Sequence, residues 1–267
     1  MVVKVSKAEV NIREKLNELE PRTLSGDEYI LDKHSHNGEY IKNGIAMYLD
    51  ADDPACFPHS TGGGSGSIVF NLDGYFPDLG NSNVTKSAGG GGSFAFAGNG
   101  TLSISGRGNY NMKGSTCEAW FRSTGNATGG YHSIMQKNGG YSGAPAYGLR
   151  AGSAGNSANM AWYSFGAGAS EATSLGAFLP IVNEWYHIVS TVDVDNGTLS
   201  AYINGKRLAV GDIFPSGSVI SDQGFNIGTG DGRFVKGEIA IARVYNRPLS
   251  NSEICYNYLK SLKRIYG

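Results

Sequence analysis

The sequence lacks several features that would place it in a specialised class of protein. It has only three cysteines, Cys56, Cys117 and Cys255, and their spacing fits neither a disulfide framework nor a zinc site. Opposite charges nearly cancel, at a formal net charge of −1, so no basic excess is present to attract nucleic acid. No apolar run is long enough to span a membrane, and the N-terminus lacks the apolar segment of a signal peptide. We therefore expect a protein made in a cytoplasm, with free thiols and with neither nucleic acid nor membrane as a partner.

Proline is also scarce, at 8 residues, whereas glycine is abundant, at 40 of 267 residues. Globular proteins average about 7% glycine, so this chain holds roughly twice the usual share. The glycines follow no collagen-like period, and they separate short runs in which apolar and polar residues alternate. One stretch, at 87–93, is a glycine loop. Many short strands joined by glycine turns explain this composition, which is typical of a β-sandwich.

The clearest strand pattern is a hairpin near the middle of the chain. Residues 185–194 and 198–203 both alternate, as strands with one buried face do. An Asn-Gly pair lies at 196–197 and another at 204–205, and such pairs readily adopt the positive φ angles of tight turns. We predict two antiparallel strands with a further turn behind them.

Residues 1–44 differ in composition from the rest, since they contain 15 charged residues and only 3 glycines. A capping box at 6–9 predicts a short amphipathic helix at about 7–19, followed by an extended linker. A helix this short is not stable alone in water, so its apolar stripe must dock on the domain, a sister subunit or another protein. The stripe consists of Val10, Ile12, Leu16 and Leu19.

Residues 45–267 are predicted to form one all-β domain, an antiparallel β-sandwich that ends in a single helix. A second capping box, from Ser250 to Glu253, begins this C-terminal helix. The apolar stripe of the helix consists of Ile254, Tyr258, Leu259 and Leu262.

Several segments resemble one known family. They include F-A-F-A-G-N-G at 94–100, T-C-E-A-W-F-R at 116–122, E-W-Y-H-I-V-S-T-V-D at 184–193, L-S-A-Y-I-N-G at 199–205 and G-E-I-A-I-A-R-V-Y at 237–245. In order and spacing these resemble the laminin-G-like branch of the concanavalin A-like lectin/glucanase fold. The first strand and the last helix look most like the version found in structural proteins of tailed bacteriophages. The resemblance implies a concanavalin A-like jelly roll over about 45–267.

The same fold also occurs in glycoside hydrolases, which resemble one another in a catalytic strand with the pattern Glu-x-Asp-x-x-Glu. This sequence has no such spacing. The nearest carboxylate strand starts at Glu238, but the position two residues on is Ala240 rather than Asp. Asp193 and Asp195 share a strand face, but they lie at a hairpin end, where acidic residues commonly form turns. We therefore expect no enzymatic activity.

The resemblance also raises the question of calcium, which several laminin-G-like domains bind. The candidate ligands are Asp50, Asp52, Asp53 and Asp73, yet nothing resembles a twelve-residue calcium loop. Among the histidines, His34 and His36 are expected in a solvated linker, His187 in the core, and His59 and His132 in loops. We expect no cofactor, with calcium as the alternative.

Carbohydrate binding requires exposed aromatic rings beside planar hydrogen-bonding side chains. The loop candidates are Tyr131, Tyr141, Tyr163, Asn138 and Asn156. The alternative is that these tyrosines cover the ends of the sandwich, with their hydroxyl groups in water. The tryptophans, Trp120, Trp162 and Trp185, lie inside predicted strands and are expected in the core.

Together, the resemblance and the composition break predict a non-enzymatic virion protein of a bacteriophage. It would serve as a capsid decoration, neck or tail-fibre module, and residues 1–44 would bind other virion proteins in an oligomeric arrangement. The alternative is a carbohydrate-binding module that recognises host-surface polysaccharide.

Overall fold

The computed structural model describes residues 40–57, 68–104, 114–137, 146–164, 172–213 and 224–267. The predicted arm helix with its stripe of Val10, Ile12, Leu16 and Leu19 lies outside these residues, and so do Asn138 and Tyr141. No helix in these ranges is long and apolar enough to cross a membrane.

Short alternating segments form the strands, as the composition predicts. They are β1 (Ile45–Asp50), β2 (Ile68–Val69), β3 (Leu79–Ser87), β4 (Ser93–Ile104), β5 (Gly114–Ser123), β6 (Tyr131–Lys137), β7 (Ala146–Gly152), β8 (Ala158–Ser164), β9 (Ala172–Phe178), β10 (Trp185–Asp193), β11 (Thr198–Ile203), β12 (Lys206–Asp212), β13 (Phe225–Ile227), β14 (Thr229–Gly230), β15 (Arg233–Phe234) and β16 (Lys236–Tyr245). Helix α1 (Asn251–Tyr266) follows, and a 3₁₀ turn occupies Gly89–Gly91.

The strands form an antiparallel sandwich. The main hydrogen-bonded path runs β12-β11-β10-β5-β16-β4-β13-β6-β7-β8-β9; β1 pairs with β16, and β3 pairs with β2 and β4. The sheet doubles back, so that β10, β11 and β12 pack across β7, β8 and β9. Apolar side chains between the layers form the main core, which includes Met47, Phe94, Phe121, Ile188 and Phe225. The predicted all-β jelly roll with one C-terminal helix is confirmed.

The predicted hairpin is confirmed as β10 and β11, whose pairing runs from Ile188 opposite Ile203 to Asp193 opposite Thr198. A second turn follows at Asn204 and Gly205, which have φ angles of 50° and 73°. This turn leads into β12. Its left-handed backbone favours Asn and Gly because neither residue is strongly penalised there.

The C-terminal helix also begins as predicted. The amide of Glu253 donates to Ser250 Oγ at 3.3 Å, and the amide of Ser250 donates to Glu253 Oε2 at 2.8 Å. The buried face of α1 contains Ile254 and Leu262, and also the polar residues Asn257 and Ser261. The apolar stripe is therefore interrupted by two polar side chains that need partners inside the protein.

The packed domain begins before the predicted boundary between residues 44 and 45. The side chain of Tyr40 is only 4% exposed, and its ring centroid lies 4.3 Å from that of Tyr48. The amide of Ile41 donates to Asn257 Oδ1 at 2.9 Å. The end of the predicted linker is thus fixed to β1 and to α1.

The glycines of the loop at 87–93 allow other side chains to pack closely against its backbone. A Cβ atom at Gly90 would lie 2.7 Å from the Trp185 ring, and one at Gly91 would lie 2.6 Å from Arg264. Both residues have positive φ angles, of 59° and 75°. Glycine is therefore needed here for close approach as well as for backbone conformation.

We predict that Gly90→Ala destabilises the domain more than Gly232→Ala. Both positions have positive φ, so each alanine costs about 1 kcal/mol or more in backbone strain. No atom lies within 4 Å of a Cβ built at Gly232, whereas Gly90 adds a collision that costs a further 1–3 kcal/mol or so. Urea unfolding of both variants measures the difference, and equal losses would contradict the packing role.

Candidate functional site

The most heavily buried acidic group in the described structure is Glu118 of β5, at 0% exposure. Arg243 of β16 forms an ion pair with Glu118 Oε1, and His187 Nε2 of β10 lies 3.0 Å from the same oxygen. The second oxygen accepts a hydrogen bond from Asn257 Nδ2 of α1 at 2.7 Å. Four elements therefore meet at one carboxylate.

Burial raises the pKa of the Glu118 carboxyl, but its partners outweigh burial. The Arg243 guanidinium, the His187 contact and the Asn257 hydrogen bond bring that pKa down to about 2. Glu118 is consequently ionised at any pH at which the protein would function, and it cannot serve as a proton donor. Its charge in turn holds the pKa of Arg243 above its ordinary value despite burial.

A second ion pair fixes the last turn of α1 to β1. Arg264 Nη2 lies 2.7 Å from Asp50 Oδ1, and the same nitrogen donates to the carbonyl oxygen of Gly92 at 2.9 Å. Arg264 Nη1 donates to the carbonyl oxygen of Gly90. The glycine loop, the helix end and β1 are thereby held together.

Between these two ion pairs lies an open cleft of about 370 Å³, between α1 and strands β1 and β16. Its wall and floor are formed by Tyr48, Asp50, Ile241, Arg243, Ser261 and Arg264. Lys260 and Lys263 line it from the exposed side of α1. The volume is in the range of small-molecule sites. An aromatic ring, a carboxylate and several cations therefore line one concave surface.

The structure places two of the predicted sugar-binding residues at the same end of β6 and β7. Tyr131 pairs with Gly152, and Asn156 lies in the exposed turn after β7. The guanidinium carbons of Arg150 and Arg233 lie 5.1 and 4.5 Å from the Tyr131 ring centroid. The Tyr131 ring thus already has two cationic partners. A sugar site at Tyr131 and Asn156 stays a prediction.

The placement of Tyr163 in a loop is wrong. It lies in β8 rather than in a loop, and its side chain is 3% exposed. Period-two alternation directs this ring into the core, so it offers no face to a ligand. Trp120 and Trp185 are buried, as expected, whereas only the backbone of Trp162 is described.

The assignment of His132 to a loop is also wrong, since it lies buried in β6. Its Nδ1 accepts a hydrogen bond from the Lys236 amide at 3.3 Å, and its Nε2 lies 3.2 Å from Ser123 Oγ. Burial lowers the pKa of His132 to about 4, so the ring is neutral. His187 is buried as predicted, while His34, His36 and His59 lie outside the described residues.

The candidate calcium ligands bind protein groups. Asp50 pairs with Arg264, and Asp73 accepts a hydrogen bond from the Tyr40 hydroxyl at 3.0 Å. Asp53 accepts a hydrogen bond from the Ala55 amide, and Asp52 is exposed. Across the described ranges, no group of three or more His, Cys, Asp or Glu side chains is placed to hold a metal ion.

Sequence reasoning missed the cleft because its residues come from both ends of the chain. In the sequence, Asp50 is notable only as a candidate calcium ligand, and the basic residues Lys260, Lys263 and Arg264 are explained by the negative end of the helix dipole. The polar residues Asn257 and Ser261, which interrupt an otherwise apolar helix face, were the available sign that α1 covers a polar region.

The fold and the motifs place the chain in a family. A laminin-G family model matches residues 96–255, and the chain belongs to the concanavalin A-like lectin/glucanases superfamily. No curated protein shows significant sequence similarity to this chain.

Among solved structures, the chain is similar to domain 4 of AbnA, a GH43 extracellular arabinanase from Geobacillus stearothermophilus, at a TM-score of 0.59 and 16% identity, covering 79% of this chain and 96% of that chain. It is similar to Trypanosoma rangeli sialidase at a TM-score of 0.57 and 18% identity, covering 84% of this chain and 34% of the sialidase chain. It is also similar to a botulinum neurotoxin type C chain at a TM-score of 0.55 and 15% identity, covering 82% of this chain and 52% of the toxin chain. These identities establish a shared fold, and the chain spans about a third of the sialidase and half of the toxin chain.

We predict that Glu118→Gln destabilises the domain by about 3–5 kcal/mol at neutral pH, because it leaves the Arg243 charge buried without a counter-charge. The folded pKa of Glu118, about 2, lies below its ordinary value of 4.5, so the stability it supplies is present above 4.5 and declines as the pH falls towards 2. The gap between the variant and the original protein should therefore shrink at about pH 3.5.

Urea unfolding at the two pH values measures this effect. The matched control is Glu253→Gln, whose partner Arg247 is partly exposed, so its cost should be about 1 kcal/mol. A Glu118→Gln loss no larger than the control would contradict the central role of the buried carboxylate.

Proposed function

We propose that the protein is a non-enzymatic glycan-binding protein and that the cleft beside α1 is its carbohydrate site. The observation that carries this proposal is the convergence of the half-buried Tyr48 ring with the polar groups of Asp50 and Arg264 in one cleft. The Tyr40 ring and the Arg243 guanidinium, at 4.3 and 5.2 Å from its ring centroid, hold the Tyr48 ring in position. An aromatic face packs against the apolar face of a sugar ring, while planar charged groups bind its hydroxyls. The membership of a lectin superfamily supports the same conclusion.

The similar structures add support of a coarser kind. The arabinanase domain was determined in complex with arabinotriose, and entry of the type C neurotoxin into cells depends on interaction with two ganglioside molecules. Glycan binding is therefore associated with this fold in proteins of different overall function. For the present chain it is a proposal that rests on its own cleft.

The partners of the carboxylates in the described ranges support the proposal that the protein does not catalyse glycoside hydrolysis. Glycoside hydrolysis ordinarily uses two carboxyl groups that flank the bond to be broken. Asp50 is the only carboxylate lining the described cleft, and it is bound to Arg264. Glu238 is bound by Arg122 at 2.6 Å and by Ser93 at 2.9 Å, and Glu118 is buried and ion-paired with Arg243.

We predict that Tyr48→Ala weakens glycan binding about tenfold or more, because the variant removes the apolar face on which a sugar would pack. Tyr48→Phe keeps the ring and should retain most of the affinity. A glycan array followed by calorimetry measures both, with Tyr75→Ala as a control for an exposed tyrosine outside the cleft. Thermal melting confirms that each variant is folded. Equal affinity of Tyr48→Ala and the original protein would reject the cleft as the site.

We further propose that this domain is displayed on a bacteriophage particle, as a capsid decoration, neck or tail-fibre module, and that residues 1–44 attach it to other virion proteins. The composition break and the resemblance to phage laminin-G-like proteins support this assignment. The protein would be synthesised in the host cytoplasm and would be oligomeric in the particle. Because the Tyr40 side chain is buried in the domain, the arm would begin at a fixed position on the domain.

We predict that removal of residues 1–39 abolishes incorporation into particles and leaves the domain folded, because Tyr40 and its contacts remain. Particle incorporation is measured by mass spectrometry of purified virions, and folding by thermal melting. A variant with serine at Val10, Ile12, Leu16 and Leu19 tests the apolar stripe without shortening the chain. Normal incorporation of the truncated protein would reject the anchoring role.

A further inference from the structure

We propose that the cleft beside α1 selects sugars that carry a carboxylate, and that Lys260 and Lys263 bind this group. The inference rests on the proposed glycan-binding function and adds the chemical class of the ligand. It follows from which charges in the cleft are already compensated and which are not.

Two of the cations that line the cleft have carboxylate partners in the protein. Arg243 forms its ion pair with Glu118 behind the floor of the cleft, and Arg264 forms its ion pair with Asp50 at one side. Both guanidiniums are thereby committed to holding β5, β16, β1 and α1 together. Their charges contribute little to the affinity for a further anion.

Lys260 and Lys263 are different. Both are exposed, and within the described ranges neither lies within 4.0 Å of a carboxylate. Residues three apart on a helix lie on the same side, so both lysines line the same cleft. The Lys260 ammonium lies 5.3 Å from the Tyr256 ring centroid, a contact that supplies no counter-charge. Two positive charges without protein counter-charges therefore line the open side of the cleft.

The helix dipole alone explains a preference for cations at the end of α1, but Arg264 already supplies one there. It does not explain why both lysines line a concave surface that also holds an aromatic ring. The arrangement matches a ligand that combines a ring, hydroxyl groups and one negative charge.

The remaining carboxylate narrows the ligand class further. Asp50 is paired with Arg264, and its oxygen atoms also accept hydrogen bonds from hydroxyl groups, as Oδ2 does from Tyr48 at 3.3 Å. A densely charged polyanion would find only Lys260 and Lys263 as cations without a carboxylate partner in the cleft, and the formal net charge of −1 gives the whole chain no attraction for one. A sugar with a single carboxylate meets both requirements, since its hydroxyls can donate to Asp50 while its carboxylate binds the lysines.

The test is charge reversal in the full-length protein. Lys260→Glu and Lys263→Glu, alone and combined, are compared with the control pair Lys206→Glu and Lys236→Glu, which are exposed, lie outside the cleft and change the net charge equally. An array carries neutral, carboxylated and sulfated oligosaccharides, and calorimetry uses 3′-sialyllactose, which has a single carboxylate, against its methyl ester. Thermal melting verifies that all variants are folded.

We expect carboxylated glycans to dominate the array, their methyl esters to lose most of the affinity, and each cleft substitution to weaken binding about tenfold. The control pair should keep the original affinity. Binding should also weaken as salt is raised, because both lysines are exposed.

Other outcomes separate the two proposals. Equal or better binding of neutral or sulfated glycans would overturn this inference and leave the glycan-binding function intact. If the cleft variants bound carboxylated glycans with the affinity of the original protein, the lysines would not be the groups that bind the carboxylate. The absence of any bound glycan on the array would overturn both proposals.

Discussion

The buried carboxylate of Glu118 is the interaction on which the helix side of this domain depends. Removing a charge from water is costly, and the cost is offset only when every partner is in place. Here the partners come from β10, β16 and α1, so one carboxylate fixes three elements relative to β5. Because Arg243 is also part of the cleft floor, the same interaction that holds the helix on the sandwich also shapes the candidate site.

The fold was predictable from the sequence where the determining interactions are local. The alternation of β10 and β11 and the capping box at Ser250 and Glu253 each depend on residues that are close in the chain. The polar face of α1 was not predictable in this way. Asn257 reaches a carboxylate 139 residues away, and Ser261 accepts a hydrogen bond from the Trp120 indole 141 residues away. No periodicity in the helix itself encodes those partners.

The candidate site was less predictable than the fold. Loop tyrosines and asparagines were sought as a sugar surface, whereas the cleft is built from a strand at one end of the chain and a helix at the other. The sequence identifies 87–93 as a glycine loop, and the structure shows that the missing side chains make room for Trp185 and Arg264. In both cases residue type was informative, while the reason for it came only from packing. Tyr131, with two guanidiniums near its ring, illustrates the same limit.

The position of Tyr40 has a mechanical consequence. Its ring is held between Tyr48 and Arg243, and the next residue is hydrogen-bonded to α1. Tension on the arm therefore reaches the domain through a buried aromatic ring before it reaches the pairing of β1 with β16. A pull that could strip a strand residue by residue must first extract this ring from beside an ion-paired arginine. If residues 1–39 attach the domain as proposed, the first resistance to a pull would come from this ring rather than from a strand.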